Sequence, residues 1–376
     1  MAIVAAASLA LTSCGLGEPD SLSAEDREEA ETGVAEAAAA IKAAAEPVSQ
    51  WPTVPKIADP ISLKGKKFYF VPIGESVPAI RSIGVGVTDA LEQMGAEVRT
   101  CDGKFNPTEV ATCLKAAADQ DVDGIISYSI EYAQLRNTFD SVAKTGVPLL
   151  VSMGGKPGDF AKADNMAFFD TSPRLKKIYT TLADVAVSQE GAGTHALWLK
   201  VTDNATTVAN LDAAAERFKE RCPSCTLTEV EFGSATLDKL PSAVSAALVA
   251  NPDINVVVQP VDGYVPQTLT GVNAAGFGKK VKVVSALGDL DGLKRVQSGQ
   301  QAGDVGSAVT YDAWQVANAF VRLLNGEQPE TYDSPVRVFT KENTKDLELT
   351  SAAYGTPTWY GDDSFKKQFL EAWGAR

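Results

Sequence analysis

The residues able to do chemistry are few, and none is set out for catalysis. The 376 residues include five cysteines and a single histidine, His195. Cys222-Pro223-Ser224-Cys225 has the spacing of a redox pair, but a redox cysteine needs a helix N-terminus to lower its thiol pKa. A helix is predicted over 206–221, so the pair follows a helix C-terminus, where the dipole acts in the opposite sense. It therefore reads as a structural staple. His195 opens an apolar strand and reads as structural, and a lone histidine leaves no His-rich metal site. Asp289-Leu290-Asp291-Gly292 has the start of a calcium loop but lacks the further ligands and the closing glutamate. Gly84-Val85-Gly86 lies inside a helical stretch without a third glycine or a Lys-Ser pair, which suits close helix–sheet packing better than phosphate binding. There is no Gly-x-Ser-x-Gly elbow. No nucleophile–base pair, metal set or cofactor motif emerges, so the chain reads as a non-enzyme with no metal and no cofactor.

The elements that must carry these residues alternate regularly. Short apolar runs at 67–73, 96–100, 122–128, 148–152 and 166–170 read as strands, with helices over 79–94, 107–119 and 132–145 between them. Gly95 and Gly146 end two of these helices, and Pro107 sits near the start of another. The pattern then repeats. Helices at 174–189, 206–221, 237–251 and 265–275 alternate with strands at 194–201, 227–232, 254–259 and 281–286. Such alternation predicts an α/β fold of two doubly wound, Rossmann-like parallel-sheet lobes, with loops gathered at the strand C-termini. Lys and Arg number 34 against 48 Asp and Glu, a net charge of −14. That acidic balance argues against nucleic acid as a partner.

The N-terminus carries an address. Residues 2–11 are apolar or small, too few to span a bilayer, which takes ~20. They end in Leu11-Thr12-Ser13-Cys14, which resembles the lipobox of bacterial lipoproteins. The resemblance implies that 1–13 is a signal peptide and that Cys14 is acylated as the first mature residue. No Lys or Arg precedes the apolar run, so either the basic leader is minimal or the start codon lies upstream. Residues 18–46 hold nine acidic and two basic side chains. They are expected to form one exposed helix over 23–45 with little to bury. A proline-rich linker to residue 62 follows, so 14–62 reads as a lipid-anchored tether.

The body resembles a known family. Residues 66–71, then Asp123-Gly124-Ile125-Ile126, then Gly146-Val147-Pro148-Leu149-Leu150, are similar to the first lobe of type I periplasmic binding proteins of the ribose-binding kind. Asn251-Pro252-Asp253-Ile254 leading to Asp262, and residues 283–291, are similar to its second lobe. The resemblance covers about 66–339. With the lipobox it implies the solute-binding lipoprotein of an ABC importer in a Gram-positive, actinobacterial organism. That protein would be a monomer that takes a small-molecule ligand, a sugar or polyol, between its lobes and meets the permease subunits at the outer face of the cytoplasmic membrane. A three-strand hinge would cross near 169–170, 307–310 and 337–339. Lobe one would then be 63–169 plus 308–336, and lobe two 170–307 plus 337–376 with a C-terminal extension. In that compartment four cysteines should be oxidised. Cys101 and Cys113, in one strand–helix unit, and Cys222 and Cys225 are the expected pairs. A surface sensor on the same fold is the rival function.

Ligand contacts are expected from the strand-end loops. These are Glu75, Ser76, Tyr128, Ser129, Ser152 and Met153 in lobe one and Asp203, Asn204, Phe232 and Asp262 in lobe two, with Asp170 and Ser307 at crossings. Asp262 matches the family's ligand-binding aspartate; its alternative role is to cap the helix near Val265. The family's paired aromatics after the first strand are missing from 74–80, and its arginine is missing from 203–207. Both departures argue against a ribose-like ligand and leave a polyol, another sugar or a less polar molecule, a nucleoside or an aromatic among them.

Overall fold

The computed structural model describes residues 24–160, 163–330 and 333–375. The expected signal peptide, 1–13, and Cys14 lie outside the described residues. After a first helix α1 (Ala24–Ala44), lobe one alternates β1 (Lys67–Pro72), α2 (Pro78–Glu92), β2 (Glu97–Thr100), α3 (Pro107–Ala118), β3 (Gly124–Tyr128), α4 (Arg136–Ala143), β4 (Leu149–Met153) and β5 (Met166–Asp170). Lobe two continues with α5 (Ser172–Ser188), β6 (His195–Val201), α6 (Ala205–Arg221), β7 (Thr226–Phe232), α7 (Leu240–Ala250), β8 (Val256–Gln259), α8 (Val265–Ala274), β9 (Lys282–Ala286), α9 (Leu290–Ser298) and β10 (Gly303–Ser307). Then come α10 (Val309–Leu324), β11 (Val336–Phe339), α11 (Lys341–Thr344), α12 (Ser351–Tyr354) and α13 (Ser364–Ala372).

The lobe-one sheet is parallel throughout, in the order β2-β1-β3-β4-β5; the lobe-two sheet runs β11-β10-β9-β8-β6-β7, with only β11 antiparallel. Local chemistry explains the element ends. Gly95 and Gly146 take φ of +83° and +85° just past α2 and α4, a backbone region open to glycine and costly for other residues. The Asn106 side chain accepts from the Thr108 and Glu109 amides at the start of α3, and Asn204 accepts from Thr207 at the start of α6. Gly84 and Gly86 do pack closely. A Cβ on Gly84 would meet the Phe70 ring of β1 at 2.9 Å, and one on Gly86 would meet the Ala313 Cβ of α10 at 2.5 Å.

Three features depart from the sequence expectation. The helix α1 is not free of the body: it packs on α5 and α6 of lobe two. Ala30, Gly33 and Ala37 form its contact stripe, so close that a Cβ on Gly33 would overlap the Arg221 carbonyl. Glu36 adds an ion pair to Arg221. Small residues bring the helix axis close, which hides the contact from any search for large apolar periodicity. Second, the proline-rich linker lies on lobe one, with Trp51 buried and stacked on Tyr311 at 4.8 Å. Third, the C-terminal segment divides between the lobes. Val336–Phe339 is already within the lobe-two sheet, so the third crossing precedes it. The end of the chain returns to lobe one, where Trp373 of the α13 terminus stacks on Trp314 of α10 at 5.5 Å. N- and C-terminal segments meet where Val48 bridges Gly361.

Candidate functional site

The strand C-termini of the two sheets face each other across a cavity of about 120 Å³. Its walls are mainly apolar: Ile73, Ile80 and Phe105 from lobe one, Leu175, Val261 and Leu287 from lobe two. Among the described residues four non-glycine side chains sit at positive φ, and three of them, Phe105, Ser129 and Leu287, line this cavity. Backbone strain of this kind persists only where surrounding structure enforces it, and it clusters at ligand sites. Phe105 is turned inward over Gly74, where any Cβ would overlap its ring. The loop before α3 thereby puts an aromatic face beside the end of β1, where the segment 74–80 itself has none.

One cation reaches the cavity wall. Arg174, in the first turn of α5, bonds Ser307 at 3.1 Å, Asp312 at 3.2 Å and the Tyr128 hydroxyl at 3.5 Å. Asp312 also accepts from Ser307 and Ser334. Desolvation works against the Arg174 charge, yet Tyr128 and Asp312 hold its pKa above the usual value. Arg174 and Asp312 join α5 of lobe two to α10 of lobe one. Burial pushes the Tyr179 and Tyr264 phenols up to about 12, so both stay neutral hydrogen-bonding groups.

At the cavity mouth the lobes touch. The Glu131 carboxylate accepts from the Thr206 amide at 2.6 Å, and the Gln134 amide donates to the Asp203 carbonyl at 3.2 Å. Glu131 thus places a negative charge on the N-terminal turn of α6, where unpaired amides favour one.

Of the twelve expected contact residues, Tyr128, Ser129, Met153, Asp203 and Asn204 line the cavity. Asp170 lines a smaller recess beside Arg174. The other six lie elsewhere. Glu75 and Ser76 remain in the loop before α2, with Ser76 exposed. Ser152 is buried within β4. Phe232 packs behind Tyr264, ring edge to face at 5.7 Å. Ser307 is engaged with Arg174 and Asp312. Asp262 is turned away from the cavity: it accepts from Ser285 and from the Asp289 amide at 2.7 Å, and shares a hydrogen bond with Asp304. It does not cap α8 either, whose start has no side-chain cap. Burial and the neighbouring Asp304 raise the Asp262 pKa well above the carboxylate range.

Sequence reasoning missed Arg174, Tyr179, Tyr264, Phe105 and Leu287. The only local signal for Phe105 is Gly103-Lys104-Phe105-Asn106, a tight turn before a proline-started helix. Arg174 stands in a helix first turn, where nothing nearby marks it. Both cysteine pairs are joined in the structure, Cys101 to Cys113 and Cys222 to Cys225.

Two α/β lobes closing a cavity between their strand ends define a two-lobed binding protein. The chain belongs to the periplasmic binding protein domain family, which matches residues 68–328, and its lobes and topology are those of the type I periplasmic binding fold. It is similar in fold to the 5-methylthioribose transporter solute-binding protein of Thermotoga lettingae, in complex with 5-methylthioribose (TM-score 0.66, 14% identity, 84% of this chain and 99% of that one). It is also similar to an ABC transporter solute-binding protein of Agrobacterium vitis bound to α-D-tagatopyranose (0.65, 16%, 77% and 98%). A third is a periplasmic ribose ABC transporter protein of Conexibacter woesei (0.63, 19%, 78% and 98%). No curated protein sequence matches the chain.

Proposed function

We propose that this protein is an extracytoplasmic solute-binding protein that captures a small molecule between its lobes and delivers it to the permease of an ABC importer. The observation that carries this reading is the cavity closed between two lobes of a periplasmic binding protein, with Glu131 and Gln134 reaching across its mouth. The sugar-bound neighbours support a sugar as the ligand, or a polyol, which presents the same hydroxyl groups. The apolar walls favour a second reading within the same function, a less polar small molecule. Closure would occur by hinge motion at the crossings. Acylation of Cys14 would hold the protein at the outer face of the membrane, where both cysteine pairs form disulfides. It would work as a monomer beside its permease, and the proposal includes no catalytic step.

The test is ligand recovery. Protein purified under native conditions from its own host is analysed by native mass spectrometry for a bound small molecule, and the recovered compound is added back to stripped protein. A genuine ligand at 100 times its Kd should stabilise the fold by about 2.7 kcal/mol. Recovery of no compound, together with unchanged uptake in a strain lacking the gene, would refute the transport reading.

A further inference from the structure

The polar groups of the cavity that remain free are unevenly placed, and this limits what can bind. Arg174 is held by Asp312, Ser307 and Tyr128. The Thr171 hydroxyl donates to the Met153 carbonyl at 2.8 Å, and that of Ser129 points at the Met153 sulfur at 3.7 Å. The Asn204 carbonyl oxygen is taken by the Thr207 amide, leaving its amide N–H groups. One Asp203 oxygen accepts from the Ser234 amide and hydroxyl, leaving the other. The groups left over are the second Asp203 oxygen, the Asn204 amide N–H groups and the Thr207, Tyr179 and Tyr264 hydroxyls, and all of them come from lobe two. From lobe one the cavity receives an apolar wall of Ile73, Ile80, Ile83 and Phe105.

Size and charge narrow the ligand further. A cavity of about 120 Å³ is close to the ~150 Å³ that holds one benzene ring. Arg174 is neutralised by Asp312, so Asp203 leaves the walls with a net negative charge, which disfavours an anion. A hydroxyl buried against the apolar wall without a partner would lower affinity by about tenfold.

Resting on the solute-binding reading, we propose that the cavity selects a neutral single-ring molecule with its hydroxyls along one edge and an apolar remainder, over a fully hydroxylated sugar or polyol. Asp203 and Asn204 orient the hydroxylated edge, and Phe105 covers the apolar part.

The experiment uses matched pairs in isothermal titration calorimetry on the whole secreted protein. cis-Cyclohexane-1,2-diol is compared with myo-inositol, and 5-methylthioribose with ribose. The less hydroxylated member of each pair should bind at least tenfold more tightly. Phe105→Ala should weaken it at least fivefold, and Asp203→Asn should weaken it while leaving the melting temperature within a degree or so. If Phe105→Ala fails to fold, Phe105→Leu supplies the same comparison. Equal affinities, or a preference for myo-inositol or ribose, would overturn the ligand class and leave the solute-binding reading standing. No heat from any of the four compounds at millimolar concentration would overturn it too. Native ligand recovery alone decides the solute-binding reading.

Discussion

Among the described residues two buried clusters of ionisable side chains stand close to the cleft, and one of them faces the cavity. Around Arg174 a cation from lobe two is paired with Asp312 from lobe one, with Ser307, Ser334 and Tyr128 completing its shell. Around Asp262 three carboxyl groups, Asp262, Asp289 and Asp304, are buried together behind the cavity, with no cation in direct contact except for Arg295, which donates to the Asp262 carbonyl. Tyr354 donates to Asp289 at 2.8 Å from the C-terminal segment. The first cluster is a charge-balanced bridge between lobes. The second is a like-charge cluster that stays buried by keeping protons. Position in the chain suggested the opposite assignment, because the strand-end rule says which loop reaches the cavity but not which way a side chain in that loop turns.

The strongest way to break this comparison is to unpair the bridge. Arg174→Met leaves Asp312 buried without its cation, and removing one partner of a buried pair costs about 3–5 kcal/mol. Urea unfolding should register a loss of that size. Adding Asp312→Asn should restore much of it, since the stranded charge is then gone. A loss below about 1 kcal/mol in the single variant would mean that the bridge does not hold the lobes.

A smaller effect is expected at the mouth. The Glu131–Thr206 contact exists only when the lobes are together, so it belongs to the closed form and not to the folding of either lobe. A charge-assisted hydrogen bond contributes about 1.5–3 kcal/mol, and the half-buried position of Glu131 puts it at the lower end. Glu131→Ala should therefore weaken ligand about tenfold, with unfolding midpoint unchanged. Small-angle scattering with ligand present should show a more open average shape. An unchanged affinity would make the contact incidental to closure.

Much of this architecture is legible in the residues, and the exceptions share a cause. Strand–helix alternation, the terminating Gly95 and Gly146, and the cap residues are local signals, and the lobes follow from them. Tyr128, Ser129, Met153, Asp203 and Asn204 line the cavity because they end strands, which is also local. Arg174 is different: its partner Asp312 lies 138 residues away in sequence, and no local pattern distinguishes a bridging arginine from a solvated one. Phe105 reaches the cavity through positive φ at two successive non-glycine residues, Lys104 and Phe105, a conformation that their residue types disfavour. The helix α1 is legible but its packing on lobe two is missed, because alanine and glycine are counted as weakly apolar, although Ala30, Gly33 and Ala37 form the contact.

The comparison is sharpened most by the smallest expected effect, at Asp262. Burial pushes the Asp289 carboxyl up to about 7 and the Asp304 carboxyl up to about 6, and it raises Asp262 well above the usual range together with Asp304. Unfolded, each would titrate near the ordinary aspartate value, so between about pH 4 and pH 7 the folded state holds more protons than the unfolded chain. The sign follows: this contribution to stability is full below the unfolded pKa and is lost as pH rises through the folded values. Each extra bound proton gives a slope of about 1.4 kcal/mol per pH unit, with stability falling as pH rises. Asp262→Asn keeps an oxygen to accept from Ser285, gives up the bond from the Asp289 amide, and removes one like charge. Its slope across pH 5–7 should be shallower than that of the parent, measured by urea unfolding at each pH. Because Asp262 faces Ser285 and Asp304 and not the cavity, ligand affinity in that variant should stay within about twofold of the parent. A tenfold loss of affinity in a folded Asp262→Asn protein would return Asp262 to the ligand and make the acidic cluster, not the Arg174 bridge, the working face of the cleft.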